Sequence, residues 1–283
     1  MDAVTLEAKD ICVDFPGAKA LAHVDFQLLP GEIHALVGAN GAGKSTLMKV
    51  LAGANPGYRG EIRLDGEAVE LRSPGSAKKL GIQIVYQEVD QALAPALSAA
   101  ENMLLDELGK PGALWVDWRA LYQQAEQLKN QLHMDVDVRM PVGRLTLAQK
   151  QMVLIARALH SRCRVLLLDE PTAPLSAVET KTLFALCRDL VKERRIAIVF
   201  ISHRLPEVLE ICDRYTVLLG GRYAASGPIT PKTTADELVA HMLGAEMGAV
   251  PSRLSRSAGG ALLSVHGLSS RDGSVRDISL TVR

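Results

Sequence analysis

The sequence predicts an α/β fold, because short apolar runs alternate along the chain with stretches of helical periodicity. The runs are continuous rather than alternating in polarity, which is typical of strands covered on both faces of a mainly parallel sheet. The predicted strands are IHALV (33–37), IQIVY (82–86), RVLLLD (164–169), IAIVFI (196–201) and YTVLL (215–219).

A mainly helical insert is predicted between about residues 88 and 160. Its clearest helix is DWRALYQQAEQLKNQLH (117–133), which begins at Asp117, a residue type favoured at helix N-caps. Apolar residues at a spacing of three or four give this helix one buried face. They are Leu121, Ala125, Leu128 and Leu132.

A phosphate-binding loop is predicted where GANGAGKST (38–46) follows the first run, because it matches GxxxxGK[ST] between a strand and a helix. Backbone N–H groups of such a loop point at phosphates, Lys44 can reach the β and γ phosphates, and Ser45 can ligate Mg²⁺. The alternative is a structural glycine-rich turn, but chance matches occur in roughly one per cent of chains this long. The predicted nucleotide-binding residues here are Gly38, Ala39, Asn40, Gly41, Ala42, Gly43, Lys44, Ser45 and Thr46.

The strand RVLLLD ends at Asp169, and Asp169 and the next residue, Glu170, are predicted to complete the site. Asp169 would join the metal shell, and Glu170 would orient and polarise a water. The alternative is a strand-end acid that caps the next helix. His203 ends the following strand, where it could donate a hydrogen bond to a γ-phosphate; a lone histidine there could equally be structural.

Charge and composition limit the classes of partner that this chain is expected to bind. Lys plus Arg and Asp plus Glu number 32 each, so no overall field favours nucleic acid or anionic lipid, and no nucleic-acid partner is expected. The four cysteines are far apart in sequence, which favours free thiols in a reducing compartment. No apolar run reaches the length of a membrane span, so work at a membrane would require a partner to hold the chain there.

Five segments together resemble the nucleotide-binding domain of ABC transporters in order and spacing. They are GANGAGKSTLMKVLAG, IVYQE, LTLAQKQMVLIARAL, VLLLDEPTAPLS and FISHRLPEV. The resemblance covers residues 5 to about 245 and implies a P-loop NTPase core with a β-rich N-terminal subdomain and a helical insert. FPGAKAL, Gln87-Glu88, QKQMVLIARAL and LVAHMLG look more narrowly like the ATPases of bacterial monosaccharide importers, which carry two such domains in one chain.

The resemblance also implies roles for individual residues. Phe15 matches the aromatic that stacks on adenine, although an ordinary core phenylalanine is the alternative. Gln87 matches the glutamine that contacts Mg²⁺ and signals to the membrane partner, and Ser176 stands where many relatives have Asp. The signature segment, which contacts ATP held by a second domain, matches Leu145, Thr146, Leu147, Ala148 and Gln149; Ala148 replaces its glycine.

The C-terminal part of the chain is predicted to contain a linker, residues 246–260, and the first strands of a second ABC domain, residues 261–283. The second prediction depends on an overlay of LLSVHGLSSRDGSVRDISLTVR on residues 5–29 with a three-residue gap. An ordinary C-terminal hairpin is the alternative. The overlay places Leu263 on Leu6, Leu268 on Ile11, Ile278 on Val24 and Leu280 on Phe26.

The sequence therefore predicts an ATPase at the cytoplasmic face of the cell membrane that uses ATP and Mg²⁺ to power import of a sugar or related small solute. Its expected partners are integral membrane permease subunits, a second ABC domain and, indirectly, a periplasmic solute-binding protein. Two alternatives are a soluble ABC ATPase acting on ribosomes or DNA, and a nucleotide-binding scaffold without turnover.

Overall fold

The computed structural model describes residues 5–108, 115–244, 260–270 and 276–282. The chain divides into two compact units, Met1–Ala245 and Glu246–Arg283. Most of the predicted linker lies outside the described residues. Within the described ranges, no helix is both long and apolar enough to cross a lipid bilayer.

The strands and helices are numbered in chain order. The strands are β1 Leu6–Phe15, β2 Ala18–Leu28, β3 Ile33–Val37, β4 Arg59–Leu64, β5 Glu67–Val69, β6 Ile82–Val85, β7 Val165–Asp169, β8 Ala197–Ile201, β9 Arg214–Leu219, β10 Arg222–Pro228, β11 Leu263–Leu268 and β12 Ile278–Val282. The α-helices are α1 Lys44–Leu51, α2 Pro74–Lys79, α3 Ala99–Met103, α4 Leu105–Leu108, α5 Trp118–Gln131, α6 Leu147–His160, α7 Ala177–Arg194, α8 Leu205–Ile211 and α9 Ala235–Leu243.

A six-stranded sheet in the order β10-β9-β3-β8-β7-β6 forms the centre of the first unit. Its strands are parallel except for β10, which pairs antiparallel with β9. Both faces are covered: in β8, Ile198 and Phe200 pack in one core, and Val199 and Ile201 pack in the other. This arrangement confirms the α/β prediction and explains the continuous apolar runs, because alternate side chains enter different cores.

The other parts of the first unit also match the predicted architecture. An antiparallel sheet in the order β2-β1-β4-β5 gives the β-rich N-terminal part. Helices α3 to α6 lie between β6 and β7 and form the helical insert. The Asp117 carboxylate caps α5 by accepting a hydrogen bond from the Ala120 N–H at 3.0 Å, and the predicted apolar face of that helix is buried.

An antiparallel hairpin of β11 and β12 lies in the second unit. Its register repeats that of β1 and β2, with four matched pairs of opposed residues and a register shift before the last pair. The matches are Leu6–Leu28 with Leu263–Val282, Glu7–Gln27 with Ser264–Thr281, Ala8–Phe26 with Val265–Leu280, and Ile11–Val24 with Leu268–Ile278.

The register shift in the first hairpin is a bulge with left-handed backbone on both strands. Asp10 has a φ of 54° and His23 a φ of 53°. The Asp10 N–H donates to Asp25 Oδ1 at 2.8 Å, and the His23 N–H donates to Cys12 Sγ at 3.3 Å. Side chains thus satisfy two backbone donors that the interrupted ladder leaves without a partner.

The second hairpin has the same bulge at the equivalent positions. Gly267 and Asp277 have φ values of 62° and 50°. The Gly267 N–H donates to Ser279 Oγ at 3.1 Å, and the Asp277 N–H donates to Ser269 Oγ at 3.0 Å. The two hairpins therefore share one backbone geometry. Side chains at equivalent positions accept the same two backbone N–H groups, although the residue types differ.

Candidate nucleotide-binding site

The predicted phosphate loop lies at the carboxyl end of the buried strand β3 and ends where α1 begins. Its end glycines, Gly38 and Gly43, have φ values of 154° and 102°. A Cβ on Gly38 would lie 2.4 Å from the Leu218 carbonyl oxygen, and one on Gly43 would lie 2.7 Å from the Leu21 side chain. Larger residues do not fit at either end, so the glycines permit this tight turn into the helix N-terminus.

Lys44 folds back over the loop. Its Nζ donates to the carbonyl oxygens of Gly38 at 2.7 Å and Ala39 at 3.0 Å. Burial lowers the pKa of Lys44, while the negative charges of Glu170 and Asp169 oppose that shift. The two hydrogen bonds hold the ammonium group against the loop, where a phosphate would bind.

Asp169 ends β7 and lies opposite Ile201 of β8 in the parallel register. Burial raises the pKa of Asp169, and the adjacent Glu170 carboxylate raises it further. The opposing attraction of Lys44 lowers it. Bound Mg²⁺ would relieve both unfavourable effects, because a divalent cation stabilises the ionised carboxylate.

Gln87, Glu170 and His203, the predicted catalytic residues, converge at one carboxylate oxygen. Glu170 Oε2 accepts a 3.1 Å hydrogen bond from Gln87 Nε2 and lies 3.2 Å from His203 Nδ1. Glu170 also has a φ of 49°, a left-handed conformation that is uncommon outside glycine and often found at active sites. Its N–H donates to the Ile201 carbonyl at 3.1 Å, which fixes the residue to the end of β8.

One cleft of about 350 Å³ collects most of the predicted site residues. Its wall combines the loop residues 40–46 with Gln87, Asp169 and Glu170. The hydroxyl of Ser45, the amide oxygen of Gln87 and the Asp169 carboxylate are the hard oxygen ligands that Mg²⁺ prefers. The donor set therefore fits a magnesium-bound nucleoside triphosphate.

Phe15 lies at the end of β1, opposite Ala18 at the turn into β2. Its side chain is half exposed, at 49%, which excludes the ordinary core phenylalanine that the sequence left open. Phe15 does not itself line the cleft, but Ala20 of the same hairpin does. The exposed ring is available for stacking on a base.

The sequence model of the family described as ABC transporter matches residues 21–173. This match includes the phosphate loop, Gln87, the signature segment and the acid pair. This chain belongs to the ABC transporter family.

Two relatives place the chain within this ABC family more closely. The ribose import ATP-binding protein RbsA 1 of Rubrobacter xylanophilus is 46% identical over 98% of this chain and 54% of its own length. The ribose import ATP-binding protein RbsA 2 of Rhizobium etli is 44% identical over 90% of this chain and 50% of its own. The chain thus spans about half the length of the curated relatives it matches.

Solved structures confirm the ABC cassette fold. A nucleotide-free ATP-binding cassette from an ABC transporter superposes with a TM-score of 0.72 at 23% identity, covering 85% of this chain and 95% of that one. Membership of the family also confirms the predicted cofactors, ATP and Mg²⁺.

The ABC signature segment begins the helix α6. Thr146 caps the helix, since its Oγ1 accepts from the Gln149 N–H at 3.2 Å and the Gln149 side chain accepts from the Thr146 N–H at 3.0 Å. Leu145 and Ala148 are buried and Leu147 is half exposed. Leu147 and Ala148 occupy the first turn, whose N–H groups have no acceptor within the helix and can face an anion. The segment is therefore a capped helix start, and its residues do not line the cleft formed by residues 40–46.

Ser176, which follows the acid pair by six residues, caps α7. Its side chain accepts from the Glu179 N–H at 3.4 Å, and its N–H donates to Glu179 Oε2 at 2.8 Å. Because Ser176 caps the helix after β7, neither Asp169 nor Glu170 serves as that cap. The structure thus removes the alternative interpretation of the acid pair.

Sequence reasoning missed Glu207, which accepts hydrogen bonds from residues close in sequence to the catalytic candidates. Its Oε2 accepts from Thr172 Oγ1 at 2.6 Å and from Ser202 Oγ at 3.1 Å. Thr172 follows the acid pair and Ser202 precedes His203, so Glu207 links the two loops that carry the catalytic candidates. The sequence offered only an acid in the segment that the structure shows to be α8, where Glu207 lies in the first turn.

Proposed function

We propose that this chain carries an ATP-hydrolysing ABC cassette that powers import of a sugar or related small solute. The convergence of Gln87, Glu170 and His203 beside the phosphate loop is the observation that carries the proposal. It distinguishes a hydrolysing site from a scaffold that only binds nucleotide, because a carboxylate is held ready to polarise water. The names of the relatives support sugar import, and specifically ribose.

The residues divide the chemistry among them. The loop amides and Lys44 hold the phosphates, and Phe15 stacks on the adenine ring. Ser45, Asp169 and Gln87 would hold Mg²⁺, which when bound would neutralise charge on the phosphate oxygens. Glu170 would accept a hydrogen bond from the attacking water and orient it. His203 holds Glu170 through Nδ1, and its other ring nitrogen, Nε2, would face the γ-phosphate.

The hairpin of β11 and β12 begins a second ABC cassette in this proposal. Its support is the repeated register and bulge of β1 and β2, together with the length of the relatives. Head-to-tail pairing of two cassettes would place the signature segment 145–149 against ATP held by the second one. The second cassette's signature would complete the site built on Lys44 and Glu170.

The expected assembly includes permease subunits in the membrane, which the helical insert contacts at the cytoplasmic face. A periplasmic solute-binding protein would act on the ATPase only through those subunits. Both partners are proposed from the import function of the relatives. A soluble ATPase that acts on ribosomes or DNA is the alternative, and the relatives' names do not favour it.

The test is reconstitution of the full-length protein with its permease in vesicles, with ribose-loaded binding protein on the opposite side. ATP hydrolysis and ribose uptake should rise together and both be lost in Glu170→Gln. Glu193→Gln, an exposed acid on α7, is the matched control and should keep both activities. Hydrolysis stimulated by ribosomes or DNA, and not by the binding protein, would refute the import function.

A further inference from the structure

The first hairpin brings three potential metal ligands together outside the nucleotide cleft. The ligand atoms of Asp10, Cys12 and His23 all lie within 4.8 Å of one another. Asp10 and Cys12 lie on β1 and His23 lies on β2, on either side of the bulge. The side chains of Asp10 and His23 are 68% and 74% exposed, so an ion can reach them from solvent.

We propose that Asp10, Cys12 and His23 form a surface site for a borderline-soft divalent cation such as Zn²⁺. Thiolate, imidazole and carboxylate are the donors that Zn²⁺ selects, whereas Mg²⁺ prefers oxygen alone. Water would complete the coordination of this three-residue site. The site therefore differs in donor chemistry from the magnesium ligands of the cleft.

The observed distances require only a small adjustment for binding. His23 Nδ1 lies 2.6 Å from Asp10 Oδ1, in a direct hydrogen bond. Two such ligands on one tetrahedral Zn²⁺ are about 3.3 Å apart, given metal–ligand bonds of about 2.0 Å. A shift of less than about 1 Å would set the separation of Asp10 and His23 for the ion, with loss of the shared proton. Cys12 Sγ, which lies within 4.8 Å of both ligand atoms, would approach them to about 3.5 Å, given a Zn–S bond of about 2.3 Å. The His23 N–H, which donates to Cys12 Sγ at 3.3 Å, would help to hold the sulfur in position as a ligand.

The second hairpin shows that the fold itself does not require these side chains. It builds the same bulge with Gly267, Ser269 and Asp277 at the positions of Asp10, Cys12 and His23. Ser269 accepts the equivalent backbone N–H as well as Cys12 does, and glycine adopts the left-handed backbone without a Cβ penalty. The Asp-Cys-His set of the first hairpin is thus additional to what the backbone needs.

A bound ion would tie β1 to β2 where their ladder is interrupted. This stretch of β1 leads three residues further to Phe15, so the ion would also steady the hairpin that presents the ring. Ligand binding to the folded state alone raises the midpoint of unfolding. The proposal does not depend on ATP hydrolysis or on sugar import.

The experiment is titration of the whole untagged chain with Co²⁺ as a spectroscopic substitute for Zn²⁺, without nucleotide. One equivalent should produce a thiolate-to-cobalt charge-transfer band, which Zn²⁺ should abolish by displacement. Cys12→Ser should remove the band, and His23→Asn should weaken binding by at least the roughly 10- to 100-fold that loss of an outer-shell partner costs. Cys163→Ser changes a thiol elsewhere in the chain and should leave the band intact.

Folding of the variants can be checked independently. Because Ser269 fills the equivalent position, Cys12→Ser should keep the bulge and bind ATP normally. Zn²⁺ should raise the thermal midpoint of the wild-type chain and not that of Cys12→Ser. The proposal fails if cobalt binds without a thiolate band, if the band persists in Cys12→Ser, or if no binding occurs.

Discussion

The Thr172 hydroxyl, in the loop after β7, donates a 2.6 Å hydrogen bond to the carboxylate of Glu207 on α8. The same oxygen accepts from Ser202 Oγ at 3.1 Å. Thr172 and Ser202 are both buried, so water cannot replace Glu207 as their hydrogen-bond acceptor, and losing it would leave each hydroxyl unsatisfied. One carboxylate therefore sets the spacing between the loop after Glu170 and the loop before His203.

Glu207→Ala should lower kcat for ATP about 10- to 100-fold in the full-length, membrane-assembled protein, with little change in KM. Two buried hydroxyls would lose a charged acceptor worth about 1.5–3 kcal/mol, and Glu170 and His203 would lose their alignment. Glu207→Gln keeps one acceptor oxygen and should restore part of the rate. Glu210→Ala, an exposed acid on the same helix, should have no effect. If Glu207→Ala lowers thermal stability as well as kcat, and Glu207→Gln restores neither, the role of Glu207 is purely structural.

The sequence was sufficient to predict the loop, the acid pair and the five parallel strands of the central sheet, because each depends on local spacing or on apolar continuity. It also predicted which residues of β11 and β12 match β1 and β2, and the structure has those residues in matching register. Glu207 could not be predicted, since its Thr172 partner is 35 residues away and the contact depends on where α8 packs. The contact of Asp10 with His23 depends on a β-bulge, and the alternation of apolar and polar residues in the sequence does not predict a bulge.

Lys44→Ala should weaken ATP binding about 10- to 100-fold, because it removes a charge-assisted contact to the phosphates of about 1.5–3 kcal/mol. Calorimetry on the isolated chain measures this directly. Lys79→Ala removes an exposed positive charge from α2, away from the cleft, and should change the affinity little. Unchanged affinity in Lys44→Ala would remove the phosphate-loop assignment.

The apolar residues of the second hairpin are exposed here, whereas their matched residues in the first hairpin are buried. Leu263, Leu268, Ile278 and Leu280 are 44–53% exposed, while Leu6, Ile11, Val24 and Phe26 are at most 2% exposed. Amides of β11 and β12 should therefore exchange rapidly in this chain and slowly in a longer chain that includes a complete second cassette. Amides of β1 and β2 serve as the protected control. Slow exchange of β11 and β12 in a monomer of this chain would favour an independent hairpin instead.

The signature segment predicts an asymmetric enzyme. Ala148 has an ordinary helical backbone in the first turn of α6, so its methyl group adds no backbone strain. In the proposed pair of cassettes, a methyl group in place of glycine would narrow the approach of a phosphate to the helix N-terminus. Losing one well-aimed donor to a transition state costs about 3 kcal/mol, or 10²- to 10³-fold in rate.

The productive site of the full-length protein should therefore be the one built on Lys44 and Glu170, and this chain alone should show almost no turnover. In steady-state assays of the membrane-assembled protein, Glu170→Gln should abolish hydrolysis, Ala148→Gly should change it only a few-fold, and Glu193→Gln should leave it unchanged. Substantial hydrolysis by Glu170→Gln would show that the second site, which faces the altered signature, turns over on its own.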